Sequence, residues 1–467
     1  MSETNQDKSM DSVLKFIDDH RERFIAELQQ WVRIPSISAL AEHTPDVERS
    51  AEHLAHELRA LGATDVQVWP TARHPAVFAS FMHAKDKPTL LIYGHHDVQP
   101  VEPLGDWRSP PFEAVQHEGR LYGRGTVDDK GQVYIHVKAI EAFLRTTRGK
   151  LPINLKLLVE GEEEIGSPHL GDLLRTHAKT LSADYVCVSD TAMYGRGMPS
   201  LCVGLRGVIS FELQVHGPET DVHSGTFGGG IANPANALAR IITSFHDEKG
   251  RILVPGFYDD VVPPSDQERE TITRLPHDDN EWLKASGAKS CFGEEGYSTL
   301  ERIWTRPTLD INGMASGHFT EGEKNIIPRT AIAKLSCRLV PNQTPETIHA
   351  HLTKHVQRNT PPGITVEISP PEKGALPYVA DTTHPIFNTA RRAFQKAFGK
   401  ETILMREGGT IPFVHTITEI IGKPTLMMGF GQPDENSHAP NEWLGLDNFH
   451  VGIKSAVWLY EELGKEE

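Results

Sequence analysis

Four short apolar runs constrain this chain more than any other feature. Thr89–Tyr93, Asn154–Val159, Tyr185–Val188 and Thr425–Phe430 are nearly continuous rather than alternating. Runs of that kind belong to strands buried on both faces, as in a parallel sheet covered by helices. Between the first two lies a helical pattern with Val133, Val137, Ile140 and Leu144 on one side. Residues 11–34 read as one amphipathic helix, with Leu14, Ile17, Phe24, Leu28 and Trp31 near one face and Pro35 ending it. Strands alternating with helices predict an α/β domain with a mostly parallel central sheet flanked by helices.

The middle of the chain follows another pattern. Val208–His216 and Ala331–Val340 alternate as half-exposed strands do, and Ile364–Ile368 adds a third. Pro234–Phe245 and Glu346–Arg358 read as helices between them. Residues 247–330 are rich in glycine, proline and charge, and are expected to hold long loops or an extra strand. The reading is a catalytic α/β domain at 1–206 and 378–467, interrupted at 207–377 by a smaller α+β, ferredoxin-like insert.

Composition narrows the function. A chain of 467 residues exceeds one ordinary compact core. The net charge of −16 argues against a nucleic-acid partner, which attracts basic stripes. No apolar run approaches the ~20 residues that span a bilayer, so no membrane partner is expected. The N-terminal segment Met1–Lys8 is polar and lacks the apolar stretch of a signal peptide, which predicts a cytoplasmic protein. The cysteines Cys187, Cys202, Cys291 and Cys337 form no C-x-x-C pair, so neither a thiolate zinc site nor a disulfide framework is indicated.

Each apolar run leads into metal-ligand residue types. The first enters Gly94-His95-His96-Asp97 and the second Glu160-Gly161-Glu162-Glu163-Glu164. The third ends at Ser189-Asp190, and the fourth leads to Asp434-Glu435-Asn436-Ser437-His438. A fifth segment, Gly123–Gly131, carries Asp128-Asp129 at the start of a helix. Ligands of open α/β sheets bind beyond the carboxyl ends of the strands. Imidazoles with several carboxylates and no thiolate suit Zn²⁺, Mn²⁺ or Co²⁺ in hydrolytic chemistry. Taken singly, each has a plain structural explanation. Asp128-Asp129 caps a helix, the glutamates are a solvated acidic run, and His438 is a loop histidine. Their joint placement at successive strand ends favours a metal site.

These segments resemble the dinuclear zinc peptidases that include carnosinase and the cytosolic non-specific dipeptidases. More distantly they resemble succinyl-diaminopimelate desuccinylase and aminoacylase. The matching stretches are Tyr93–Pro100, Leu121–Gly131, Glu160–Ser167, Tyr185–Asp190, Val222–Gly225, Ile327–Arg329, Cys337–Pro341, Arg406–Pro412 and Ser437-His438 with Asn441-Glu442, in the family's order. The resemblance implies two divalent metal ions, zinc first with manganese or cobalt as alternatives. It implies His95, Asp128, Glu164, Asp190 and His438 as ligands, with Asp128 bridging. Asp97 would orient His95, and Glu163 would be the general base acting on a water between the metals. Counting back from Gly166-Ser167 selects Glu163 and Glu164 from the three consecutive glutamates, so a one-residue slip is the alternative. The peptide bond following Asp128 is often cis in such enzymes.

In the insert, the resemblance implies that His223 reaches a neighbouring subunit's site to stabilise the oxyanion, and that Arg338 clamps the substrate carboxylate. Gly409 and Thr410 would assist Arg338. By position alone, His223 is a loop histidine, Arg338 faces solvent, and the glycine pair is a tight turn. The activity implied is a dipeptidase acting on dipeptides with a free C-terminal carboxylate, working as a homodimer through a lid and dimerisation insert. The runner-up is an amidohydrolase of N-acyl or N-succinyl amino acids. A non-catalytic metal-binding relative is a third reading, and it predicts a missing ligand or base.

Overall fold

The computed structural model describes residues 3–371 and 374–465. The chain divides into two compact units. The first comprises Met1–Val203, Ala380–Met405 and Thr416–Glu467, and the second Gly204–Val379 with Arg406–His415.

The sheet of the first unit runs in the order Asp65–Trp69, Ala76–Phe81, Asn154–Glu160, Thr89–His95, Tyr185–Val188, Thr425–Met427, Ser200–Leu205. The four central strands, from Asn154–Glu160 to Thr425–Met427, are mutually parallel. Antiparallel strands flank them on both sides. The antiparallel edge follows from chain economy. Residues 70–75 are too few for a crossover helix between Asp65–Trp69 and Ala76–Phe81, so the chain must turn back. The Lys130–Thr146 helix is buried along most of its length, against the Thr89–His95 strand and the Leu446–Leu463 helix. Among the described residues, no helix is long and apolar enough to cross a membrane.

Two sequence expectations shift here. The single helix expected over 11–34 is two helices, Glu3–Asp19 and Arg21–Val32. The break falls at His20, whose ring stacks on Phe16 with centroids 4.0 Å apart and meets the Phe16 carbonyl at 2.8 Å. The fourth apolar run forms a strand only over Thr425–Met427, although Met428 and Phe430 are buried. Thr191 lies so close to Gly429 that any side chain there would collide with it, and the chain leaves the ladder at that point.

The second unit holds a four-stranded antiparallel sheet in the order Asp310–Ser316, Thr330–Leu339, Gly207–His216, Thr365–Ile368. With the helices Pro234–Thr243 and Pro345–Asn359 it has the βαββαβ connectivity of ferredoxin-like folds. Burial alternates strictly along Gly207–His216. One face packs Ile209, Phe211, Leu213 and Val215 against Leu238, Ile241, Ile348 and Leu352. The stretch expected to hold long loops or an extra strand contains the Asp310–Ser316 strand and three short helices, Asp266–Thr273, Asp279–Ser286 and Thr299–Thr305, each capped by its N-cap side chain (Ser265, Asp278 and Ser298). The Arg406–His415 segment, expected to belong with the α/β domain, packs in the second unit. The Arg206 guanidinium donates to Gly408 O at 3.0 Å, and Thr410 Oγ1 to Arg206 O at 2.6 Å.

Candidate metal centre

Strand register brings the polar termini of the parallel strands together. His95 ends its strand opposite Glu160, and Tyr93 of that strand lies opposite Val188. Met427 also lies opposite Val188. Glu163 and Glu164 follow Glu160 in a short 3-10 turn, and Asp190 follows Val188. The helix beginning at Lys130 brings Asp128 to the same edge. Its approach requires Gly94, because a Cβ there would strike Asp129 and Val133. The Asp128–Asp129 peptide bond is cis.

Two groups of donors result. His95, Asp128 and Asp190 offer one ligand atom each, all within 4.8 Å of one another, and Asp128, Glu164 and His438 do the same. Asp128 belongs to both, with one oxygen for each side. Its Oδ1 lies 3.1 Å from His95 Nε2, and its Oδ2 lies 2.9 Å from His438 Nε2. Asp190 Oδ1 is 3.7 Å from His95 Nε2, and Glu164 Oε2 is 3.2 Å from His438 Nε2. Asp97 is fully buried behind His95. Its carbonyl lies 3.0 Å and its carboxylate 3.3 Å from His95 Nδ1. The same carboxylate accepts the backbone N–H groups of Glu163 and Glu164, at 3.2 and 3.1 Å. One side chain thus holds His95 and braces the loop that carries Glu163 and Glu164.

The electrostatics fit a cation. Four carboxylates crowd the site, and three of them, Glu163, Glu164 and Asp190, are shifted toward the protonated form. Burial, reinforced by Asp190, Glu164 and Asp128, drives the Glu163 carboxyl well above its ordinary range. Burial and the Asp128 charge push Glu164 up to about 7. Hydrogen bonds to Asp128 and Glu164 push His438 up to about 11. Burial alone would raise Asp128, yet the hydrogen bonds from His438 and His95 hold it low. Glu164 Oε1 is buried with no hydrogen-bond partner among the described residues. A divalent cation in each group would meet that demand for positive charge and coordinate the orphan oxygen.

The three glutamates face different ways. Glu162 turns from the cluster and accepts from Thr71 Oγ1 and from His74 N–H at 2.8 Å, and pairs with His169 Nδ1 at 2.7 Å. Gln99, which had no assigned role in the sequence reading, donates to Glu164 Oε2 at 2.7 Å. It lies inside the Tyr93–Pro100 stretch, which was its only signal.

In the second unit, Arg338 Nη1 donates to Thr410 Oγ1 at 2.8 Å. Gly409 O accepts the backbone N–H of Arg206 at 3.1 Å, and nothing lies near where its Cβ would be. Arg206, which sequence reasoning passed over, adds a second guanidinium beside this turn. Burial and the Arg338 charge lower it to about 10. His223 is exposed on the two-residue strand Val222–His223, and its Nδ1 accepts from Gly225 N–H at 3.0 Å.

A parallel-centred α/β sheet whose strand ends gather carboxylates and imidazoles into two sharing groups defines a metallohydrolase. Residues 91–461 match the peptidase family M20/M25/M40, and the chain belongs to that family. It is 33% identical to the Cys-Gly metallodipeptidase of Schizosaccharomyces pombe, over 97% of this chain and 98% of that protein. The crystal structure of human carnosine dipeptidase 1 superposes with a TM-score of 0.80 at 30% identity, covering 98% of this chain and 99% of that one. An M20 family metallo-carboxypeptidase from Sulfolobus solfataricus also gives 0.80, at 32% identity over 94% of this chain and 99% of that one.

Proposed function

We propose that this metal-dependent hydrolase is a dipeptidase, cleaving dipeptides with a free C-terminal carboxylate. One observation carries the reading most: Asp128 offers one carboxylate oxygen to each of two donor groups. His95, Asp128 and Asp190 would hold one divalent ion and Asp128, Glu164 and His438 the other, with zinc first and manganese or cobalt as alternatives. Such ions, when bound, polarise the scissile carbonyl and lower the pKa of water.

The chain's own groups carry the remaining roles. Glu163 takes a proton from the attacking water and returns it to the leaving amine nitrogen. Water thus supplies hydroxyl to the carbonyl carbon and hydrogen to nitrogen as the C–N bond breaks. The raised affinity of its buried carboxyl for protons suits that shuttle. Asp97 holds His95 and the base loop in register. Arg338, supported by Thr410 and Gly409, binds the substrate carboxylate. His223 donates to the developing oxyanion of a partner subunit.

The homodimer is proposed through the second unit acting as lid and dimerisation domain. Its edge strand Asp310–Ser316 is mostly exposed, and Phe227 and Ile231 are 45% and 41% exposed close to His223 in sequence. A cytoplasmic location is part of the same proposal.

The test is a panel of free dipeptides, their N-acylated counterparts and longer peptides, assayed with added metal and after chelation. Dipeptide cleavage that chelation abolishes and metal restores is the expected result. Cleavage of only the acylated compounds would assign an amidohydrolase instead, and preference for longer peptides a carboxypeptidase.

A further inference from the structure

Glu442 is fully buried, follows His438 by one loop, and takes no part in either donor group. Its Oε2 accepts from Arg124 Nη1 at 2.8 Å, and Arg124 is itself 1% exposed. Its Oε1 accepts from the backbone N–H groups of Gly125 at 3.0 Å, Val127 at 3.0 Å and Asp128 at 3.2 Å. Its own carbonyl accepts from Gly123 N–H at 2.9 Å. A buried carboxylate is costly and persists only where its lone pairs are met. Here they are met almost wholly by the loop that ends in Asp128.

The partner segment is the one that carries His438. Asn436, His438 and Asn441 all adopt left-handed backbone, with φ of 57°, 62° and 62°. That conformation costs of order 1 kcal/mol for a residue with a Cβ and is kept only where the surroundings enforce it. Asn441 is anchored by Arg108 N–H and by Asp106 O, both at 2.8 Å. Glu442 is the adjoining anchor and reaches the Asp128 loop. A second tie runs through Gln132, which donates to Val127 O at 3.1 Å and accepts from Phe430 N–H at 2.6 Å.

We infer that Glu442, oriented by Arg124, is a positioning residue that sets the separation of Asp128 from His438 and so sets the affinity of the Asp128–Glu164–His438 group for its cation. His95 ends its strand and is held at Nδ1 by Asp97, so the other group, although it shares Asp128, depends on Glu442 less. The inference rests on the two-cation reading above.

Glu442→Gln tests it, because the shape is kept. Whichever way the amide turns, its NH₂ either opposes Arg124 or leaves backbone donors without an acceptor. The full chain, stripped with a chelator, is titrated with Mn²⁺ by calorimetry. Wild type is expected to take two ions per chain. In the variant, the second affinity should fall about tenfold or more, the usual cost of losing such an outer partner, with the first little changed. A merely structural role would lower the thermal stability of the stripped protein and leave the ratio of the two affinities unchanged, and that result overturns the inference. Wild type binding a single ion would instead overturn the two-cation reading. Should Glu442→Gln fail to fold, Arg124→Lys decides. It keeps the carboxylate but loosens its aim, and an unchanged second affinity there overturns the inference as well.

Discussion

A carboxylate placed between two imidazoles works through both of its oxygens, and Asp128 is so placed. Glu163, by contrast, has no place in either group and makes its case through position and proton affinity. Glu163→Gln is expected to lower kcat by about 10²–10⁴-fold while metal content, measured by elemental analysis, stays near wild type. Arg338→Ala should act mainly on KM, and Arg338→Lys should recover part of the loss, since a lysine keeps the charge without the paired donors. Equal kinetics in wild type and Arg338→Ala would remove the proposed carboxylate clamp. At this scale the sequence was legible where chemistry dictates residue type. The strand ends pointed to a metal site at the sheet edge, and His95, Asp128, Glu164, Asp190 and His438, the ligands that the family resemblance implied, lie there in two groups. Glu442 and Gln99 were not legible as parts of the site. Their contacts run through backbone N–H groups or through another ligand, and no spacing in the chain encodes that.

Continuous apolar runs were the legible elements, because a strand covered on both faces has no polar side to confuse the pattern. Tyr185–Val188 is a strand over those same residues. The run ending at Phe430 misled because burial and strand geometry part company at Gly429. Asp310–Ser316 was foreseen only as an extra strand somewhere in 247–330, because it is an edge strand whose mostly exposed residues carry no apolar pattern. The Lys130–Thr146 helix carries a titration of its own. His136 is fully buried, its Nδ1 lies 2.8 Å from the Tyr460 hydroxyl, and burial holds its pKa down to about 3. The unfolded chain, with an ordinary histidine near 6.5, binds a proton that the fold refuses. Stability is therefore complete above that value and is lost as pH falls below it, at about 1.4 kcal/mol per unit. Between pH 7.5 and pH 5, wild type should lose ~2 kcal/mol more than His136→Gln, read from denaturant midpoints. Parallel curves for the two proteins would place the acid sensitivity elsewhere.

At the scale of the molecule, the two compact units were foreshadowed by the change from continuous to alternating strand patterns near residue 207. The return of Arg406–His415 to the second unit was not. It depends on hydrogen bonds from Arg206 and Thr410 that only the fold brings about. The homodimer proposal predicts a light-scattering mass of twice the 51.9 kDa chain. A fully active monomer would sink it and remove the role assigned to His223.

The two donor groups have a consequence for the timing of synthesis. One is complete by residue 190, whereas the other waits for residue 438. A chain still emerging from the ribosome carries the residues of one group well before those of the other are made. By the proposed mechanism, a peptidase built this way stays silent until His438 has been made. Truncation before His438 is expected to leave no turnover, since it removes a proposed ligand and also the Leu446–Leu463 helix against which the Lys130–Thr146 helix packs.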